Sequence, residues 1–205
     1  MSTKQMARDE REEFAALLEG LTPQQWTSPT LCEQWRVREV AVHTVSYDEL
    51  STAGLVRRFL KGRLNTDRIN AIGVADYAES APEQITAMIR AHAEPHGLTG
   101  GFGGRIALTD GMIHQQDIRR SVGIPRTIDQ ERLRTALDFA RFAPTIRGAW
   151  RARGVRLVAT DLDWSHGSGP EVRGSGEAVL MAMAGRRAAL DDLDGPGKAK
   201  FAQRL

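Results

Sequence analysis

The sequence predicts a mainly α protein: an antiparallel four-helix bundle within residues 1–150, followed by a small α/β or α+β module over residues 151–205. Three observations carry this reading. Four stretches before residue 125 place apolar residues every three to four positions, the period of a helix with one buried face. The segments between them are rich in the turn residues Gly, Pro, Asn and Asp, so successive helices fold back on one another. After Gly154 the texture changes to short strand-like runs around a turn.

The first helix is expected over residues 4–20, with Phe14, Leu17 and Leu18 on its inner side. The loop "GLTPQQWTSPTLCEQW" (20–35) follows, and Trp26 and Trp35 are suited to pin it to the core. Residues 36–60 read as one long second helix, and "NTDRIN" with the following glycine breaks the pattern. A third helix covers 80–95, with Ser80 as its cap and Pro82 in its first turn. "HGLTGGFGG" (96–104) reads as a flexible connection, and residues 105–123 as a fourth helix ending on Gly123. A fifth helix is expected over 128–150. Beyond it, 154–164 has strand character, "SHGSGP" (165–170) reads as a turn, 171–175 as the returning arm of a hairpin, and 176–193 as an apolar helix.

Composition narrows the function classes. A chain of 205 residues with 41% hydrophobic residues can build one domain or two small ones. Lys+Arg 28 against Asp+Glu 26 leaves a net charge of +2, without the basic footprint of a nucleic-acid or membrane-surface binder. The start "MSTKQMARDEREEF" lacks the apolar core of a secretory signal, and no apolar run approaches the roughly 18 residues of a membrane span. These readings lead to a soluble cytoplasmic protein, with a homodimer compatible. The single cysteine, Cys32, excludes an intramolecular disulfide and Cys-rich zinc motifs.

The stretch "LTDGMIHQQDIRRS" (108–121) holds the chemistry. Asp110, His114 and Asp117 fall on one helical face, flanked by Ile106, Ala107, Ile113 and Ile118. Polar side chains inside an apolar stripe need partners. Asp110 and His114, four residues apart, can hold one metal ion. His43, beside Val40, Tyr47 and Leu50 on the second helix, is the best third ligand. Three ligands and an open position would make a catalytic site. Asp117 could orient a ligand or pair with Arg119 or Arg120. The plainer alternative is that Asp110 and His114 bond each other and His43 is an ordinary core histidine.

Other candidates are weaker. His92 and His96 share the four-residue spacing, but Pro95 and Gly97 mark a helix end there. His166 reads as an exposed turn residue. Cys32 has no histidine near it in sequence and reads as a small apolar residue. "GGFGG" lacks the Lys-Ser/Thr of a phosphate loop, and no Gly-x-Ser-x-Gly elbow is present.

Three stretches together resemble the mycothiol-dependent maleylpyruvate isomerase family, a branch of the DinB-like metal-binding four-helix bundles. "SPTLCEQWRVREVAVHTVSYDEL" is similar to its first motif through Pro29, Cys32, Trp35 and His43. "DGMIHQQDIRRSVGIPR" is similar to its second through Asp110, His114, Asp117, Ile118, Arg119, Arg120, Gly123 and Pro125. Residues 154–186 resemble the small C-terminal domain of many members. The resemblance implies a divalent metal, commonly zinc, on His43, Asp110 and His114, with mycothiol as thiol co-substrate. It also implies an arginine from the C-terminal domain, for which Arg186 is the candidate. The family pattern has Glu where this chain has Asp110, one methylene shorter.

The implied chemistry is addition of a low-molecular-weight thiolate to a small electrophile. Isomerisation follows if the thiol is expelled and S-transfer if it is retained, with an arginine holding a substrate carboxylate. The residues leave other classes open: a binder of apolar ligands without chemistry, a metal that only braces the bundle, and a metal-dependent hydrolase.

Overall fold

A computed structural model describes residues 1–205. The chain forms two compact units, Met1–Ile124 and Pro125–Leu205. The division falls well before residue 150, where the change of texture had placed it. The helical segment after Pro125 explains the difference: it packs on the helix that follows the strands, so its apolar face belongs to the C-terminal core.

The first unit opens with α1 (Thr3–Glu19), capped by the Ser2 side chain, which accepts the Gln5 N–H. The short α2 (Pro23–Trp26) starts on a reciprocal Thr22/Gln25 capping box. Then come α3 (Val37–Val45), α4 (Thr52–Lys61), α5 (Thr66–Ala75) and α6 (Pro82–Ala91). A single 3₁₀ turn (Gly101–Gly104) leads into α7 (Arg105–Val122), which stops at left-handed Gly123. Helices α1 and α3 each pack against both α6 and α7, which closes a four-helix bundle; α5 lies on α3, and α4 on α5. The core is Phe14, Leu18, Val37, Val40, Ile85, Ile89 and Ile118, with Trp26 buried among them and Trp35 packed at its edge.

Several boundaries differ from the sequence reading, each for a local reason. Residues 36–60 are two helices, because residues 46–51 turn to deliver Asp48 to a buried ion pair with Arg11 at 2.9 Å, and Ser51 recaps the chain for α4. "NTDRIN" starts a helix: the Asn65 side chain accepts the Arg68 N–H at 2.9 Å. The cap of α6 is Ala81, whose N–H donates to Gln84 at 2.8 Å, while the Ser80 carbonyl accepts from Arg38. "GGFGG" forms the 3₁₀ turn, with Phe102, Gly103 and Gly104 at positive φ.

The second unit contains α8 (Gln130–Ala140), α9 (Gly148–Arg151), α10 (Gly176–Met183), a 3₁₀ segment (Arg187–Asp192) and α11 (Lys198–Ala202). The expected fifth helix is interrupted between α8 and α9, at Pro144 and left-handed Arg147. Between α9 and α10 lie β1 (Arg156–Ala159), β2 (Ser165–Gly167) and β3 (Glu171–Gly174), in the order β2-β1-β3. "SHG" is thus a strand, pairing antiparallel with β1 at Leu157↔His166. The run after it pairs parallel with β1, at Leu157↔Val172, so the hairpin partner of β1 is β2. Gly167 allows the reversal: its φ is +88°, and a Cβ there would stand 2.3 Å from the Val155 carbonyl oxygen. Leu157, Val172, Val179, Leu180, Met181 and Phe201 are buried.

Candidate metal centre

Helix α7 is buried from Ala107 to Ile118 except at Asp110. Its polar residues therefore face protein, and their partners define the site. Asp110 and His114 occupy successive turns of one face, and α3 brings His43 from its last turn to meet them. Both imidazoles direct Nε2 at one carboxylate oxygen: His43 lies 3.7 Å and His114 3.6 Å from Asp110 Oδ1. The two rings stand nearly perpendicular, with centroids 4.9 Å apart. One ligand atom from each of the three lies within 4.8 Å of the others. Both histidines are buried, and the Asp110 side chain is 40% exposed.

The electrostatics fit a cation. Burial works against the Asp110 charge, but His114 first and then His43 outweigh it and hold the carboxyl well below the usual carboxylate range. Two nitrogens and one carboxylate oxygen are a donor set suited to a divalent ion of the zinc type. The surroundings fix the donors. Asp117, fully buried, bonds His114 Nδ1 at 3.0 Å and leaves Nε2 directed at Asp110. Trp35 lies 4.8 Å from the His43 ring and 6.3 Å from His114.

Two neighbours surround the group: Tyr47, which the sequence already sets beside His43, and Cys32, which sequence reasoning missed. Tyr47 presents its ring edge to His43 at 6.2 Å, and its hydroxyl donates to Asn70 Oδ1. Burial pushes its phenol up to about 12, with Arg58 opposing and Asp110 adding to the shift. The four-residue step from His43 to Tyr47 was a signal in the sequence; Asn70 carried none. The second neighbour is Cys32. It has no histidine near it in sequence, yet the fold places it with His114 and Asp117 as a second possible ligand group, again within 4.8 Å. The Leu31 N–H, donating to the Asp117 carbonyl at 3.4 Å, ties the Cys32 loop to α7.

The remaining candidates find other partners. His92 caps α6, with its Nε2 on Glu49, and His96 Nε2 bonds the Asp48 carbonyl at 3.0 Å. They flank the buried pair of Arg11 and Asp48, which also receives the Thr99 hydroxyl. His166 lies on β2 beside Trp164, at 6.3 Å, and is partly buried. Arg186 lies in the C-terminal unit between α10 and the 3₁₀ segment, its Nη1 donating to the Ala184 carbonyl at 2.9 Å.

Residues 7–96 match the family described as the mycothiol maleylpyruvate isomerase N-terminal domain. That match includes His43 and ends before Asp110. Among solved structures, the chain is similar to the mycothiol-dependent maleylpyruvate isomerase, with a TM-score of 0.58 at 13% identity, over 96% of this chain and 92% of that one. A histidine-to-alanine mutant of that isomerase is similar over the same shares, with a TM-score of 0.56 at 13% identity. These two establish a shared fold. No curated protein matches the sequence.

Proposed function

We propose, for a chain whose residues 7–96 carry the mycothiol maleylpyruvate isomerase N-terminal domain, that it is a metalloenzyme using a low-molecular-weight thiol. The thiol is mycothiol, and the reaction is isomerisation or S-transfer on a small electrophile bearing a carboxylate. The observation that carries this reading is the convergence of His43, Asp110 and His114 from two helices around one point.

A divalent ion held there, zinc being the best suited to these donors, lowers the pKa of a coordinating thiol and supplies its anion at neutral pH. The chain's own residues do the rest. Asp117 keeps the His114 tautomer and ring direction fixed through Nδ1. Trp35 and Tyr47 pack against the His43 ring and keep water from that side. Asp110, the shorter acid, lies 3.7 and 3.6 Å from the two imidazole nitrogens, which supports it as the third ligand.

The test is metal content and thiol-dependent turnover of maleylpyruvate in the purified protein and in His43→Ala. One divalent ion per chain, with metal and turnover lost together in the variant, is the expected result. Turnover unchanged in His43→Ala would overturn the assignment.

A further inference from the structure

One helix of the N-terminal unit keeps an apolar stripe exposed. Helix α4 packs on α5, with Gly54, Arg58 and Gly62 buried on its inner side. Arg58 anchors it there, donating to the Ser46 carbonyl at 2.9 Å and to Asp76 at 3.1 Å. The outer side carries Ala53, Val56 and Leu60, spaced to share one face. Val56 is 54% exposed and Leu60 69%. Leu64, shortly after the helix, is 75% exposed. It and Arg63 hold left-handed backbones, φ +57° and +53°, a conformation that costs a non-glycine residue free energy and here brings Leu64 no burial.

Cations run alongside the stripe. Arg57 and Lys61 stand one residue round the helix from Val56 and Leu60, and Arg63 follows at the corner; all three are exposed. None of the three has a carboxylate partner, and residues 51–66 contain no Asp or Glu. The near balance of charge over the whole chain conceals this local excess. Thr52, Ala53, Val56, Arg57, Leu60 and Lys61 form one open, shallow face rather than a deep groove. An apolar ridge flanked by long-stemmed cations is the pattern of a helix lying in a membrane interface. The aliphatic side chains enter the acyl boundary, and the Arg and Lys stems let their charges reach the headgroups. A second copy docked α4 to α4 would set these cations against one another. The helix is already formed, with the Ser51 hydroxyl accepting the Gly54 N–H at 3.2 Å, so docking carries no cost of ordering it.

We propose that α4 docks the N-terminal unit on an anionic lipid surface, with Val56, Leu60 and Leu64 entering the interface and Arg57, Lys61 and Arg63 meeting the headgroup phosphates. The helix lies on the membrane and does not cross it. The proposal stands without the metal reading of the same unit.

Co-sedimentation of the full chain with vesicles of phosphatidylglycerol and with vesicles of phosphatidylcholine tests this, at about 0.1 M salt. Binding to phosphatidylglycerol is expected, about tenfold or more above that to phosphatidylcholine. Replacing both Arg57→Gln and Lys61→Gln should weaken it by about tenfold or more, since each cation near such a surface contributes roughly fivefold. Leu60→Ser should weaken it by about tenfold through lost apolar burial. These side chains are exposed, so the helical circular-dichroism signal should stay unchanged in both variants. No sedimentation with phosphatidylglycerol vesicles overturns the proposal and leaves the face to an acidic protein partner. Equal binding to the two lipids, or undiminished binding in either variant, overturns it as well. A dimer in solution that Leu60→Ser dissociates assigns the face to a second copy and overturns it too.

Discussion

His114 stands between two carboxylates: its Nδ1 lies 3.0 Å from Asp117 Oδ2 and its Nε2 3.6 Å from Asp110 Oδ1. One is fully buried and the other 40% exposed, so Asp117 holds the imidazole from the interior and Asp110 faces its open side.

Asp117→Asn keeps the size of the side chain and removes its charge. A partner of this kind behind a metal-bound histidine is worth about 10–100-fold in metal affinity. Competition with a chelator should show a loss of that size with the helical circular-dichroism signal unchanged. Equal affinity would mean that Asp117 does not set the donor.

Two ligand groups share His114, and they separate by mutation. His43→Ala should abolish stoichiometric metal binding, and Cys32→Ala should leave it intact. The reverse pattern would move the ion to Cys32, His114 and Asp117.

Arg11 and Asp48 form a buried ion pair, with side-chain exposures of 4% and 0%. Asp48→Asn leaves a buried guanidinium uncompensated and should cost about 3–5 kcal/mol in urea unfolding. A loss below about 1 kcal/mol would mean that the pair behaves as a solvent-screened one.

Tyr47 predicts a pH dependence for the metal-free protein. Its phenol titrates at about 12, above the usual 10. The folded state therefore holds this proton more tightly than the unfolded chain. That contribution to stability is complete below pH 10 and is lost as pH rises towards 12. Absorbance titration should show Tyr47→Phe removing the later-ionising tyrosine. Ionisation of both tyrosines at the ordinary value in the parent would contradict this.

Gly167→Ala should destabilise the C-terminal unit by about 2 kcal/mol or more, because positive φ and a collision with the Val155 carbonyl add together. An unchanged denaturation midpoint would show that β1 and β2 can shift to make room.

Helical periodicity made the bundle and half the site legible. Asp110 and His114 are four residues apart on one continuous helix, and Gly123 ends that helix where its left-handed conformation suits a C-terminal cap. The long second helix was misread because residues 46–51 are compatible with helix locally. Only the pull of Arg11, 37 residues earlier, takes Asp48 out of it. The N-terminal unit has no helix long and apolar enough to cross a membrane, and neither does the C-terminal one.

The sequence by itself determined which residues can ligate and which faces are apolar, since both follow from residue type and local period. Tertiary structure alone decided that Cys32 joins His114 and Asp117 and that Asn70 takes the Tyr47 hydroxyl. It also decided that β3 pairs parallel with β1. Each of these depends on elements distant in sequence being packed together. Local propensity is blind to such contacts, because their energies come from burial and partnering that exist only once the core has closed.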